Sequence, residues 1–211
     1  MKEFYNEYDR MIRLACPCYD YCLNLMVENI PSEVSSVLDL GSGTGNLISS
    51  ILRSRARIRI YGIELQKNLV AIAKAKIRKG NVVFLQRDIL NFDWPKADCV
   101  CSSLVIHHLT HNDKERVFRK IHEGSKSFLY FDRLKGKSAV EETVNQEYLF
   151  SYMRKNGLSE RAIEEGKSDM ERNDKPLKVK ELNCLLASIG FDFSVLYLEK
   201  GFGVYLCTRN E

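Results

Sequence analysis

The sequence predicts an α/β protein, a doubly wound parallel sheet with helices on both faces. Three observations predict it. Seven strand-sized apolar runs recur along the 211 residues, rich in β-branched or aromatic side chains. Helix-period stripes lie between the first five of them. A glycine-rich turn joins the first run to the first stripe.

The elements follow in order. Met1 to Asn29 reads as helical and aromatic-rich, with Phe4, Tyr5, Tyr8, Tyr19 and Tyr21. Val37–Leu40 is the first strand. Thr44 is placed to cap a helix whose apolar stripe is Leu47, Ile48, Ile51 and Leu52. Ile58–Ile63 is the second strand, followed by the stripe Leu69, Val70, Ala73 and Ile77, with Gly80 as a stop. Val82–Leu85 and Cys99–Cys101 are the third and fourth strands. Thr110 and Asp113 form a capping pair ahead of Val117, Phe118 and Ile121. Phe128–Phe131 is the fifth strand. Residues 133–178 then interrupt the alternation. Ser138 and Glu141 start one helix there, with Val140, Val144 and Tyr148 as its stripe, and a second short helix follows Ser159. Leu182, Leu185, Leu186 and Ile189 mark the last helix, ending at Gly190, before strands Val195–Leu198 and Val204–Cys207. We read residues 1–211 as a single domain. Residues 1–30 and 133–178 would cap the crevice outside the strands' carboxyl ends, where open α/β sheets bind ligands.

With 45% apolar and 28% charged residues, the chain is neither a disordered tail nor a disulfide-stapled miniprotein. No apolar run approaches the length of a membrane span, and the polar start lacks a signal-peptide core. Seven cysteines, an odd number, read as reduced thiols of a cytoplasmic protein. The net charge of +4 hides an asymmetry. Residues 53–79 hold nine basic residues and one acid, a local +8. That tract is either a solvated face or a surface for RNA.

The chemistry concentrates at strand ends. Asp39-Leu40-Gly41-Ser42-Gly43-Thr44-Gly45 runs from strand through turn to helix. Glycines there let a ligand approach the backbone. The spacing is G-x-G-x-G, not the dinucleotide G-x-G-x-x-G, and Asp39 would repel a pyrophosphate and favour a cationic ligand. Glu64 ends the second strand, placed to accept hydrogen bonds from both hydroxyls of a ribose. Asp88 and Ile89 follow the third strand, an acceptor for an adenine amino group beside an apolar contact for its ring.

On these residues the chain resembles the class I S-adenosylmethionine-dependent methyltransferases, nearly end to end. D-L-G-S-G-T-G looks like that family's first motif, I-E-L its second, R-D-I-L its third, and Asp98 to Leu109 its fourth. The resemblance implies a Rossmann-like seven-stranded sheet whose last strand is antiparallel. It implies S-adenosylmethionine as cofactor, with Asp39, Gly41, Ser42, Gly43 and Gly45 around its methionine and ribose. Glu64 would hold the ribose, Leu65, Asp88 and Ile89 the adenine, and Ser103 the floor under the sulfonium. Tyr8 to Ile12 with Pro17 to Asp20, and Arg172 to Leu177, look like a subgroup that holds small-molecule methyltransferases. That subgroup also holds the carboxy-S-adenosylmethionine synthase of tRNA modification. No clear arginine matches that enzyme's extra carboxylate, though Lys167 is nearby in the chain, so plain S-adenosylmethionine is the cofactor expected.

Methyl transfer from a sulfonium is a displacement with a good leaving group, so positioning supplies most of the acceleration. A base is needed only where the acceptor must lose a proton. His107 is the candidate base, with His108, Tyr21 and Asp132 at the substrate side and Tyr19 against the cofactor. His107 and His111 are also four apart, but Thr110 starts a helix between them, so no metal site is expected. The clusters at Cys16, Cys18 and Cys22 and at Cys99 and Cys101 read as packed thiols rather than metal ligands. Three functions are compatible with these residues: methyl transfer to a small molecule, RNA modification with the same cofactor, and a non-catalytic binding module.

Overall fold

A computed structural model describes residues 2–209, with side chains from Tyr8 to Arg209; Phe4 and Tyr5 of the aromatic N-terminal segment fall outside those side chains. The N-terminal segment folds as two helices, α1 (Lys2–Ala15) and α2 (Tyr19–Glu28). The alternating body runs β1 (Ser36–Leu40), α3 (Asn46–Ser54), β2 (Arg59–Glu64), α4 (Lys67–Lys76), β3 (Asn81–Gln86), β4 (Cys99–Ser103), α5 (His111–Gly124) and β5 (Ser127–Arg133). Helices α6 (Ala139–Lys155) and α7 (Glu160–Asn173) form the insertion. Helix α8 (Val179–Ile189) and the hairpin β6 (Phe191–Glu199) and β7 (Phe202–Arg209) close the chain.

The seven strands form one sheet in the order β3-β2-β1-β4-β5-β7-β6. The first five pair in parallel, and β7 runs antiparallel to both β5 and β6. This is the expected Rossmann-like sheet with an antiparallel last strand. Strand alternation sorts the core. On β5, Leu129 and Phe131 face the side carrying α2 and α3, with Cys22, Met26, Ile48 and Ile51. Phe128 and Tyr130 face α5 and α8, with Phe118, Ile121, Leu182 and Leu186. Cys99 and Cys101 lie fully buried on the α2 side, as packed thiols, and none of the seven cysteines is bridged.

Several local signals hold. Thr110 Oγ1 accepts from the Asp113 N–H, Ser138 from Glu141 and Ser159 from Ala162. Gly190 ends α8 in the left-handed region. Others fail for stated reasons. Helix α3 is capped by Gly45, at φ 78°, not by Thr44. The Thr44 hydroxyl donates instead to Asp9 Oδ1 of α1 at 2.6 Å, where a carboxylate is the stronger acceptor. Val140, Val144 and Tyr148 are exposed, while Leu149 and Met153 are the buried residues of α6. The helix has two apolar stripes, and the one against the rest of the chain is rotated by about one residue from the one expected. Helix α7 is 14 residues long rather than short.

Candidate active site

A cavity of about 470 Å³ opens at the carboxyl ends of β1, β2 and β4. Tyr19, Asp39, Gly41, Ser42, Gly43, Glu64, Leu65, Asp88, Ile89, Ser103, His107 and His108 all line it. Helices α1 and α2 contribute Tyr8, Ile12 and Tyr19 to its wall, and α6 and α7 contribute Leu149, Met153 and Met170.

The glycine loop is shaped by contacts that leave no room for side chains. Gly41 sits at φ 72°, and a Cβ there would stand 2.3 Å from Val105 Cγ2. Its N–H and that of Ser42 both donate to the Ile63 carbonyl, at 2.8 and 2.9 Å, so β2 holds the loop in place. Glu64 is fixed from two sides: the Gly43 N–H donates to Oε2 at 3.0 Å and the Gln66 N–H to Oε1 at 2.8 Å. Asp39 is different. It is 1% exposed, and its Oδ2 has no hydrogen-bond partner among the described residues. Burial first, and then the Glu64 charge, push its pKa up to about 7. Two acids with one oxygen left unsatisfied form a site that favours a cation.

Asp88 accepts from the Leu90 N–H on Oδ1 and from Asn91 Nδ2 on Oδ2, both at 2.9 Å. Each oxygen keeps a second lone pair. Leu65 is 63% exposed, an apolar contact surface on the same cavity wall as Ile89. Leu104, just past β4, holds φ 56°, a strained position for a branched residue, and lines the cavity beside Ser103.

Helix α1 is tied to the glycine loop through one side chain. Asp9 accepts from Thr44, from Asn46 Nδ2 at 2.9 Å and from Lys76 Nζ at 2.6 Å. The Asn46 amide also donates to the Tyr19 hydroxyl at 3.1 Å. Within the Tyr8 to Ile12 stretch, the sequence alone gives Asp9 no individual role. Three donors from separate elements meet it only in the folded chain.

The far end of the cavity carries a charged cluster. A short 3₁₀ turn, Ile106–His108, presents two histidines with ring centroids 3.9 Å apart. Asp132 lies beneath His107. It accepts from the His107 N–H at 2.8 Å and meets His107 Nδ1 directly. Burial opposes the imidazolium, but the Asp132 carboxylate, and then Asp174, outweigh it and raise the His107 pKa. Asp174, after α7, pairs with His108 Nδ1 at 3.1 Å and accepts from Arg133 Nη1 at 2.6 Å. Arg133 also pairs with Glu142 at 3.4 Å. The backbone locks this corner, since the Lys175 N–H donates to the His107 carbonyl at 2.7 Å.

Three expected site residues lie off the cavity wall. Asp132 is fully buried, on the side of β5 that faces the histidine turn, so it orients His107 and does not meet substrate at the rim. Tyr21 is 58% exposed and packs edge-on against Tyr197, with centroids 5.5 Å apart. Two residues along a helix turn the side chain to the opposite face, so Tyr19 faces inward and Tyr21 outward. Gly45 stands behind the wall as the α3 cap, where a Cβ would come 2.8 Å from Ile77. Lys167 pairs with Glu164 on α7 and does not reach the cavity wall. His111 starts α5, away from the other histidines of the charged corner. In the basic tract, Arg55 is absorbed by the Pro31 and Ile30 carbonyls and Lys76 by Asp9.

Residues 37–127 match the family model described as a methyltransferase domain. That span therefore carries a class I S-adenosylmethionine-dependent methyltransferase domain. Over its full length this methyltransferase is similar to the carboxy-S-adenosyl-L-methionine synthase of Nautilia profundicola, at 22% identity over 99% of this chain and 93% of that protein. An uncharacterized methyltransferase of Bacillus cytotoxicus is 35% identical over 46% of this chain and 44% of its own. Among solved structures, the fold is shared with human N-acetylserotonin methyltransferase in complex with S-adenosylmethionine. That match has a TM-score of 0.66 and 17% identity, over 95% of this chain and 55% of that one. A plantazolicin methyltransferase solved with S-adenosylhomocysteine has a TM-score of 0.72 and 12% identity, over 96% of this chain and 90% of its own. The cofactor of the methyltransferase is S-adenosylmethionine, and the unsatisfied Asp39 oxygen fits a ligand that carries positive charge.

Proposed function

We propose that this enzyme moves a methyl group from S-adenosylmethionine to a small polar acceptor seated against His107 and His108. The observation that carries the reading is the buried Asp39–Glu64 pair, which faces the cavity with an oxygen unsatisfied. When bound, S-adenosylmethionine supplies a methyl group activated by a positive sulfur. Gly41, Ser42 and Gly43 offer the backbone approach for its amino-acid part, and Ser103 lies on the cavity floor. Glu64 holds the ribose, and Leu65, Asp88 and Ile89 hold the adenine.

The acceptor end is bounded by cap residues. Leu149, Met153 and Met170 are apolar and exclude water, which strengthens electrostatic contacts inside. A cavity of about 470 Å³ lies within the range for small-molecule sites. The single domain is therefore read as a sheet body with caps at 1–30 and 133–178. A carboxylated cofactor would need a cation of its own. Arg133, on the cavity wall, is already held by Asp174 and Glu142, which favours the plain cofactor. No helix among the described residues is long and apolar enough to cross a membrane, and the seven unbridged thiols support a cytoplasmic setting.

Calorimetry tests the reading. S-adenosylmethionine binds the wild type, and Glu64→Gln weakens it at least tenfold. Turnover with a polar small-molecule library releases S-adenosylhomocysteine. No binding at millimolar cofactor overturns the proposal. Mass spectrometry of the co-purified ligand separates plain from carboxylated cofactor.

A further inference from the structure

We infer that His107 Nε2, His108 Nδ1 and Asp174 Oδ1 form a binding site for one divalent transition-metal ion at the acceptor end of the cavity. The three donor atoms lie within 4.8 Å of one another. Asp174 Oδ1 stands 3.1 Å from His108 Nδ1 and 3.6 Å from His107 Nε2. Metal–ligand bonds of about 2.0–2.2 Å, at tetrahedral or octahedral angles, set neighbouring donors roughly 3–3.6 Å apart. Both carboxylate–imidazole distances already match that range, and the two imidazole nitrogens stand within 4.8 Å of each other, close enough for side-chain rotation to bring them onto one ion.

Hydrogen bonding alone leaves the arrangement incomplete. At 3.6 Å, His107 Nε2 is beyond hydrogen-bond reach of Asp174, and it makes no other hydrogen bond among the described residues. Its orientation is nevertheless tightly enforced. The buried Asp132 engages both the backbone N–H and Nδ1, which leaves Nε2 as the nitrogen turned to the cavity. A carboxylate behind the far nitrogen of a histidine is the arrangement that orients metal-bound imidazoles and makes them stronger ligands. Asp174 is oriented in the same way, because Arg133 holds Oδ2 and leaves Oδ1 toward the histidines.

Donor type selects the ion. Asp132 backs His107, Arg133 pairs with Asp174 and Glu142, and the Lys114 ammonium, near the His107 carbonyl, balances part of the remaining negative charge. Two imidazoles and one carboxylate suit zinc, iron, cobalt or nickel better than magnesium or calcium. Three protein ligands leave coordination positions open toward the cavity, the pattern of catalytic rather than structural sites. For catalysis the inference rests on the reading above. An acceptor hydroxyl on the ion would lose its proton near neutral pH, which replaces a free histidine base.

The test uses the full chain, freed of metal by chelator and titrated with Co²⁺ by absorbance and with Zn²⁺ by calorimetry. One ion per chain is expected, with a histidine-type cobalt spectrum. His108→Ala and Asp174→Asn should each weaken binding more than tenfold. Asp132→Asn should cost about 10–100-fold, as for other outer-sphere partners. Each variant is first shown to bind S-adenosylhomocysteine like the wild type. No stoichiometric binding at 100 µM metal overturns the inference, as does undiminished binding in both ligand variants. A thiolate-to-cobalt band, placing the ion at Cys16, Cys18 and Cys22, also overturns it. In each of those outcomes cofactor binding persists, so the proposed methyl transfer stands or falls separately.

Discussion

Replacing Asp39 with Asn separates what the residue does for the fold from what it does for the cofactor. Asp39 is fully buried with a pKa near 7, against 3.8 for an ordinary carboxyl. Between those two values the unfolded chain releases a proton that the folded chain keeps. The folded apo protein is therefore favoured below pH 3.8 and loses that advantage as pH rises to 7. A gap of about three units corresponds to about 4 kcal/mol at most, since one unit is about 1.4 kcal/mol. Asp39→Asn carries no charge to bury. At pH 8 it should raise apo stability by about 2–4 kcal/mol, or about 4–16 °C in melting temperature for a chain of this size. At pH 5.5 the gain should shrink, because wild-type Asp39 is then largely protonated. Cofactor affinity should move the other way, falling at least tenfold at pH 8. Scanning calorimetry of apo and ligand-bound samples at both pH values reads all of these. An Asn variant that is less stable than wild type at pH 8, with unchanged cofactor affinity, would refute the reasoning.

The remaining predictions concern positions where packing is decisive. Gly41→Ala forces a Cβ to within 2.3 Å of Val105 at a positive φ, so cofactor binding should fall at least tenfold in isothermal titration while the far-UV spectrum is kept. Phe118→Ala removes a ring packed edge-on against Tyr130, with centroids 5.7 Å apart, and should cost about 3–5 kcal/mol in urea unfolding. Asp9→Ala frees Thr44, Asn46 and Lys76 at once, so amide exchange in α1 should quicken with little change in α5 or α8. Arg55→Glu breaks its bonds to the Ile30 and Pro31 carbonyls and should lower the melting temperature. A test of RNA binding by the basic tract is therefore cleaner with charge reversal at Arg57 and Arg59, which are exposed, read as salt-sensitive retention.

The legible part of the site follows the chain. Asp39, the glycine turn, Glu64 and Asp88 each sit at the end of a strand that a short apolar run announces, so order and spacing place them on one rim. What stayed hidden involves side chains brought together from distant segments. No spacing along the chain ties His107 to a carboxylate, yet Asp132, 25 residues on, lies directly beneath it. Asp174 reaches the same corner from the far end of an insertion. Tyr21 and the Val140, Val144 and Tyr148 stripe were misplaced for a related reason. Helical spacing defines a face, but the neighbours of that face come from other elements.

The sequence alone determined the alternating α/β order, the strand-end acids and the preference for a cationic ligand, while resemblance to a known family supplied the class of cofactor. The first three are local properties, set by hydrophobic period, by turn residues and by charge next to glycine. Tertiary structure decided which acid is left unsatisfied, which histidine nitrogen faces the cavity and which stripe of α6 is buried. Each depends on the distance between side chains far apart in the chain, and packing, unlike periodicity, exists only after the chain has folded.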